Sequence, residues 1–226
     1  MPRPGRQPSL LSGLPNKVSQ QLFAGAAITK LAADQTLFLA GDAGDGCYRV
    51  EKGLLKVTMH SAAGSERILA ILGPGAIVGE LAMLDGLPRS ASVVAVRDAE
   101  LAFISRAKFE EVTRKNPEVY KHLVTVLASR LRETDAVIAA ESFLPLRGRV
   151  AITLLELADH FGEKVDGNRI VIRQKFGQGE LAALAGIARE NVNRILADWK
   201  RRKLVSRLSG YYCLENPDLL EKEADH

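Results

Sequence analysis

Apolar and polar positions change their period twice along the chain. From about Leu37 to Ile104 the apolar residues come in short runs separated by glycine. The runs are Cys47-Tyr48-Arg49-Val50, Leu55-Lys56-Val57-Thr58-Met59, Arg67-Ile68-Leu69-Ala70-Ile71, Ala91-Ser92-Val93-Val94-Ala95-Val96 and Leu101-Ala102-Phe103-Ile104. Turn signals stand between them at Gly41-Asp42, Gly44-Asp45, Gly53, Ala63-Gly64 and Pro74-Gly75. β-branched runs punctuated in this way predict many short antiparallel strands, closed into a sandwich or barrel.

At Asn116 the period becomes helical. Asn116 can cap, Pro117 suits the first helical position and Glu118 complements the positive end of the helix. Val119, Leu123, Leu127, Leu131, Thr134 and Ile138 then recur every three or four residues. A helix of about 24 residues spans about 36 Å, longer than a domain of this size needs to cover its own sheet. It either lies along the barrel or pairs with a second copy as a coiled coil broken at Thr134, and the second reading is adopted.

Phe143-Leu144-Pro145 ends this helix and marks a hinge. Val150, Leu154, Ala158 and Phe161 predict a further amphipathic helix closed by Gly162, then a turn at Asp166-Gly167 and a strand at Arg169-Ile170-Val171-Ile172. Glu180 to Ala185, a turn at Gly186-Ile187, and Arg189 to Arg202 read as helix, tight turn, helix. A hairpin formed by 204–208 and 211–214 completes a winged helix-turn-helix. Residues 1–16, with Pro2, Pro4, Pro8 and Pro15, read as a loose arm.

The composition is that of an ordinary folded chain: 226 residues, 46% apolar, 26% charged and 5% aromatic. No run approaches the roughly 18 apolar residues of a membrane helix, and Arg3 and Arg6 precede no secretory apolar run. Cys47 and Cys213 are too few for a disulfide framework or a four-thiolate metal site. No membrane partner and a reducing cytoplasm are therefore expected. The net charge of +4 is unevenly placed. Residues 1–145 carry 17 Lys+Arg against 15 Asp+Glu, residues 146–213 carry 13 against 7, and residues 214–226 carry 1 against 5. The winged-helix segment is the basic one, which points to an acidic partner.

Two constellations carry chemistry. Gly79-Glu80-Leu81-Ala82 is followed at short range by Arg89-Ser90. A guanidinium, a hydroxyl and backbone N–H groups suit a singly charged cyclic phosphate, and a carboxylate suits a ribose 2′-hydroxyl. The plainer alternative is a surface Glu–Arg pair on a glycine-rich loop. The second constellation is Arg189, Glu190 and Arg194 at the start of the second helix of the pair. Arginine matches guanine O6 and N7, and glutamate matches the cytosine amino group. Val192, Ile195 and Leu196 supply the inward face and leave those polar groups outward.

Residues ~20–215 resemble the cyclic-AMP receptor protein family of bacterial transcription regulators, the Crp/Fnr group. GELAMLDGLPRSAS at positions 79–92 closely matches that family's nucleotide cassette, and Ala40-Gly41-Asp42-Ala43-Gly44-Asp45 with Gly53 fits its turns. The resemblance implies an α+β protein: an N-terminal antiparallel β-roll (jelly-roll-like), a long dimerisation helix and a C-terminal winged helix-turn-helix. The expected organisation is an arm over residues 1–18, a cyclic-nucleotide-binding β-roll over 19–115, the dimerisation helix and hinge over 116–144, and a DNA-binding domain with an acidic tail over 145–226.

The resemblance also implies site residues. Gly79, Glu80, Leu81, Ala82, Arg89 and Ser90 would hold the ribose and phosphate. Arg130 would pair with Glu80, Thr134 would meet the adenine edge, and Leu69 and Leu72 would contact the base. Asp135 departs from the activator branch, which has a serine there reaching the base from the partner subunit. A carboxylate accepts from adenine's amino group and also from guanine's N–H groups, so cyclic AMP stands first and cyclic GMP second. Pro145 replaces an acidic hinge residue. Arg189, Glu190 and Arg194 match the readers of TGTGA half-sites.

The implied partners are double-stranded DNA, a second copy of the chain and RNA polymerase. His60, His122, His160 and His226 have no metal-ligand spacing, and two cysteines cannot supply an iron–sulfur cluster, so no metal, haem or cluster is expected. Trp199 is read as core. No nucleophile–base pair or Walker loop appears, so an enzyme is not expected.

Overall fold

The computed structural model describes residues 16–224, with side chains except those at 16, 17, 126, 129, 130, 133 and 136–143. Residues 1–15 of the expected arm lie outside the described residues. Positions 16–18 of that arm instead begin a helix, α1 (Asn16–Phe23), which buries Val18 and Leu22. The described chain forms two units, residues 16–132 and 133–224.

In the first unit, β1 (Ala27–Leu31), β2 (Thr36–Phe38), β3 (Gly46–His60), β4 (Glu66–Leu72), β5 (Ile77–Val78) and β6 (Ser92–Ser105) pair antiparallel. The order is β1-β6-β3-β4, with β2 also on β6 and β5 on β3. The several short strands expected at 47–50, 55–59, 91–96 and 101–104 prove to be two long ones. Gly53 does not end a strand. It bends β3 beside a string of register shifts between Val50 and Leu55. Its φ of +93° and the close approach of the Asp98 carbonyl leave no room for a Cβ. Leu31, Val50, Leu55, Leu72, Val78, Val93 and Leu101 form the core between the curled faces.

A second cluster seals one end of this sheet. It joins Cys47, Ile77 and Ile104 to Val18 and Leu22 of α1, and to Phe109 and Val112 of α3 (Arg106–Lys115). Ser105 caps α3, its Oγ accepting from Lys108 N at 3.2 Å. The same cluster takes Val119 and Leu123 from α4 (Glu118–Phe143). Asn116 does not cap α4 with its side chain; it closes α3, its Nδ2 donating to the Val112 carbonyl at 2.8 Å.

The expected apolar stripe of α4 therefore divides into two faces. Val119 and Leu123 point into the unit's own core, while Tyr120, Val124, Leu127 and Leu131 are exposed at alternating spacings of four and three.

The second unit begins within α4 and continues as α5 (Leu146–Phe161), β7 (Gly162–Lys164), β8 (Ile170–Ile172), α6 (Gln178–Ala185), α7 (Arg189–Arg201), β9 (Val205–Leu208), β10 (Tyr211–Leu214) and α8 (Pro217–Ala224). The sheet order is β7-β8-β10-β9, all antiparallel. Ser209 and Gly210 both take positive φ in the β9–β10 turn, as a two-residue hairpin with right-handed twist requires. Leu154, Ile172, Phe176, Leu181, Trp199, Tyr212 and Leu220 are buried. Two features differ from expectation: β7 adds an edge strand, and the acidic tail is the helix α8, anchored by Leu220.

Candidate functional site

Gly79 carries the chain from β5 into α2 (Glu80–Asp85) with φ +82° and ψ 7°. A Cβ at that position would stand 2.5 Å from Arg89 Nη1, and one at Gly44 would stand 2.5 Å from Arg89 Nε. Two glycines thus make the space in which the guanidinium lies. Arg89 is only 6% exposed. Its Nη1 donates to the carbonyls of Gly46 at 2.8 Å and Gly79 at 2.5 Å, and its Cζ sits 4.4 Å from the centre of the Phe38 ring. Its Nε is buried without a hydrogen-bond partner. The Arg89 main chain pairs with the facing loop: its N donates to Asp42 O, and its carbonyl accepts from Gly41 N, both at 2.8 Å.

Glu80, also buried, opens α2. Its charge is felt at Cys47, whose thiol is pushed up to about 12, first by burial and then by Glu80, with Arg89 opposing. Carboxylate, guanidinium and thiol thus share one neighbourhood at the start of β3. Burial likewise raises the Tyr48 hydroxyl, and Arg89 works against that rise.

The remaining cassette residues divide by exposure. Ala82 is buried, and its carbonyl accepts from Arg106 Nη2 at 2.7 Å and from Gly86 N at 3.1 Å. Leu81 and Ser90 are exposed. The buried hydroxyl is that of Ser92, which accepts from Ala40 N at 2.9 Å. Leu69 and Leu72 do not have the same surroundings. Leu69 lies at the bulge where the β3–β4 register shifts and is exposed, whereas Leu72 belongs to the sheet core. Arg130, Thr134 and Asp135 lie on α4, and the i, i+4 spacing puts Arg130 and Thr134 on one face of it. The side chain of Arg130 is outside those described. Thr134 and Asp135 fall in the second unit and are exposed.

Sequence reasoning missed Phe38, Gly46 and Cys47 as surroundings of Arg89, and Arg106 as the anchor of α2. No local signal marks the first three, because their relation to Arg89 exists only across strands. The donor set fits a phosphodiester joined to a ribose. An unpartnered guanidinium N–H is buried in a glycine-lined recess, beside a buried carboxylate.

In the second unit α6, Gly186 at φ +63° and α7 form the helix-turn-helix. Arg149 of α5 pins the turn, Nη2 donating to Gly186 O at 2.8 Å. Val192, Ile195 and Trp199 bury one side of α7. Arg189, Glu190 and Arg194 are exposed on its N-terminal half, where a helix entering a major groove reads bases. Arg194 Nη2 donates to Asn191 Oδ1 at 2.8 Å.

A nucleotide-suited recess in one unit and a basic winged helix in the other define a nucleotide-binding, DNA-binding regulator. Residues 28–116 match the cyclic nucleotide-binding domain family, and residues 148–223 match the Crp-like helix-turn-helix domain family. The cyclic AMP receptor protein of Thermus thermophilus is 40% identical over 194 residues, 83% of each chain. The CRP-like cAMP-activated global transcriptional regulator of Mycobacterium tuberculosis is 35% identical over 175 residues, 77% of each chain. A solved CRP/FNR-family transcriptional regulator, also from Thermus thermophilus, superposes with a TM-score of 0.72 at 25% identity, covering 88% of this chain and 99% of its own. The chain belongs to the Crp/Fnr family. It is a cyclic-nucleotide-binding, DNA-binding transcription regulator, of a family of regulators rather than enzymes.

Proposed function

We propose that the protein is a cyclic-AMP-responsive homodimer that reads inverted TGTGA-like half-sites and acts on RNA polymerase in the cytoplasm. The observation that carries the ligand reading is Arg89, a buried guanidinium with an unpartnered N–H in a recess made by Gly44 and Gly79. In this reading Arg89, Ser90 and the main chain of Gly79 to Ala82 hold the phosphate, and Glu80, paired with Arg130, takes the ribose 2′-hydroxyl. Leu69 and Leu72 contact the base, and Thr134 and Asp135 supply the polar base contacts.

The exposed stripe Tyr120, Val124, Leu127 and Leu131 supports pairing of two α4 helices, since spacings of four and three are the seam of a coiled coil. Thr134 continues that seam as a polar position. Arg189 and Arg194 face guanines and Glu190 a cytosine. Nucleotide binding favours the state in which two α7 helices enter successive major grooves, a shift of population set by its differential affinity.

Calorimetric titration with cyclic AMP and cyclic GMP, followed by gel shifts on a TGTGA duplex, tests the proposal. Cyclic AMP should bind in the micromolar range or tighter, roughly −8 kcal/mol, and should strengthen the shift. Tighter binding of cyclic GMP would reassign Asp135 to guanine, and no heat with either nucleotide would overturn the ligand.

A further inference from the structure

The recognition helix is held at its far end by a cluster of charges that the nucleotide and DNA sites leave unused. Arg147 stands in the first turn of α5, two residues after Pro145. Its Nη2 donates to Asp198 Oδ2 of α7 at 2.6 Å, and its Nε to Glu223 Oε2 of α8 at 3.0 Å. Glu223 Oε2 also accepts from the buried indole Nε1 of Trp199 at 3.1 Å, while its Oε1 lies 2.6 Å from Arg202 Nη1. Asp198 takes Arg201 at 3.0 Å and Arg202 at 3.7 Å.

Three arginines therefore share two carboxylates, and three elements meet in one knot. The close approach of α5 and α8 is built in. A Cβ on Gly148 would already touch the carbonyl oxygens of Glu223 and Ala224 at 3.5 Å. Both carboxyls lie below the usual carboxylate range. Hydrogen bonds from Arg147 and Arg201 draw the Asp198 carboxyl down to about 2. Those from Trp199, Arg147 and Arg202 lower Glu223 against its burial.

We propose that Arg147 is a positioning residue for DNA reading, clamped by Glu223 of α8 so that it fixes the tilt of α7. Geometry makes the far end decisive. Nine residues separate Asp198 from Arg189, about 13.5 Å of helix, so a tilt of about 10° about Asp198 moves Arg189 by about 2 Å. A displacement of that size is enough to lose a hydrogen bond to a base edge. The clamp also reaches the reading side chains, because Arg147, Asp198 and Arg201 line one cleft with Arg194 and Ile195. Unlike the apolar packing of Val192 and Ile195, which tolerates rolling, two hydrogen bonds from one planar guanidinium set direction as well as distance.

The inference rests on the reading of α7 as the base-contacting helix, and its test separates the two. Full-length parent, Arg147→Met and Glu223→Gln are compared by binding to a selected duplex and to a scrambled one, with thermal unfolding measured beside them. Arg147→Met keeps the aliphatic stem and removes the clamp. Glu223→Gln keeps an acceptor for the indole and removes the charge.

Each variant should lose about tenfold in affinity for the selected duplex, the scale of one charged hydrogen bond, while binding to scrambled DNA stays the same. Arg147→Lys should recover part of the loss. Trp199 is the chain's one tryptophan, so its emission should shift in both variants if the knot has opened. An unchanged ratio of selected to scrambled affinity, with or without a fall in melting temperature, would overturn the proposal and leave the knot a stabilising contact only. A parent that does not discriminate between the duplexes would overturn the reading of α7 itself, and the positioning role with it.

Discussion

Arg89 and Arg194 are both suited to hydrogen-bond acceptors on a nucleic-acid component, yet the fold treats them in opposite ways. Arg89 is buried, donates to two main-chain carbonyls, lies on an aromatic ring and fills a recess left by glycines. Arg194 is exposed and held by a neighbour one turn away. The first arrangement makes the proposed ligand site part of the core, so stability and ligand binding should draw on the same residues. The second places the reading groups on a helix whose burial depends on Val192, Ile195 and Trp199. Stability and specificity are then carried by different side chains, and changes in them should add independently.

The largest effects should come from the buried side of the comparison. Arg89→Ala removes a charge-assisted clamp and strands the carbonyls of Gly46 and Gly79. Nucleotide affinity should fall by about 1.5–3 kcal/mol or more, and the melting temperature of the β unit should fall with it. Gly44→Ala is the finer instrument. Its backbone is not in the left-handed region, so the added methyl acts only by colliding with the Arg89 guanidinium. It should weaken nucleotide binding with a smaller loss of stability than Arg89→Ala. Calorimetry and thermal scans of both variants check this. Parent-like binding by Gly44→Ala would show that the recess is not where the phosphate is held.

Glu190→Ala tests the exposed side and should have a smaller effect. A carboxylate repels phosphate, so in the proposed reading Glu190 should exclude wrong bases rather than add to general affinity. Binding-site selection should relax at one half-site position, worth about 1–3 kcal/mol. Melting temperature and salt dependence should hold, because the side chain is solvent-exposed. A fall in stability comparable to that of Arg89→Ala would erase the contrast between the two sites.

The antiparallel sheet in the first part of the chain and the helices that follow it were legible in the sequence because period and glycine spacing are local properties. The helix-turn-helix was legible for the same reason: Gly186 sits between two apolar-faced runs, and it takes the left-handed turn. What escaped was non-local or weakly patterned. Gly53 reads as a turn, yet cross-strand pairing with β6 carries β3 through a bend there without ending it. The stripe on α4 mixed Val119 and Leu123 with Leu127 and Leu131, since residues three and four apart cannot tell an inward face from a neighbouring outward one. Ser105 caps α3, but it directly follows an apolar strand run and so carries no separate signal. The strand β7 is short and wholly exposed, so it carries no alternation to detect. At the ligand site Arg89, Glu80 and the glycines were visible as a motif. Phe38 and Cys47 were not, because only folding brings them to Arg89.

The smallest expected effect belongs to Lys200, which lies three turns along α7 from Arg189 and on the same face, since eleven residues return a helix to nearly the same angle. It is exposed, and its basic neighbour Arg201 is already engaged by Asp198 at 3.0 Å. Lys200 is therefore the cleaner probe of a phosphate contact, because Arg201→Gln would also disturb the charges around Asp198. A lysine on a phosphate releases about one counterion and reads no base. Lys200→Gln should lower affinity for selected and scrambled duplexes by the same factor and reduce the slope of log K against log salt by about 0.9. Its folding stability should stay within about 0.5 kcal/mol of the parent, as for other exposed substitutions. Salt titrations on both duplexes make the measurement. An altered sequence preference would mean that Lys200 reads bases, and an unchanged slope would mean that the phosphate track runs elsewhere on the unit. Either result would redraw the face of α7 that meets the duplex, because Lys200 marks the phosphate end of the helix whose other end carries Arg189, Glu190 and Arg194.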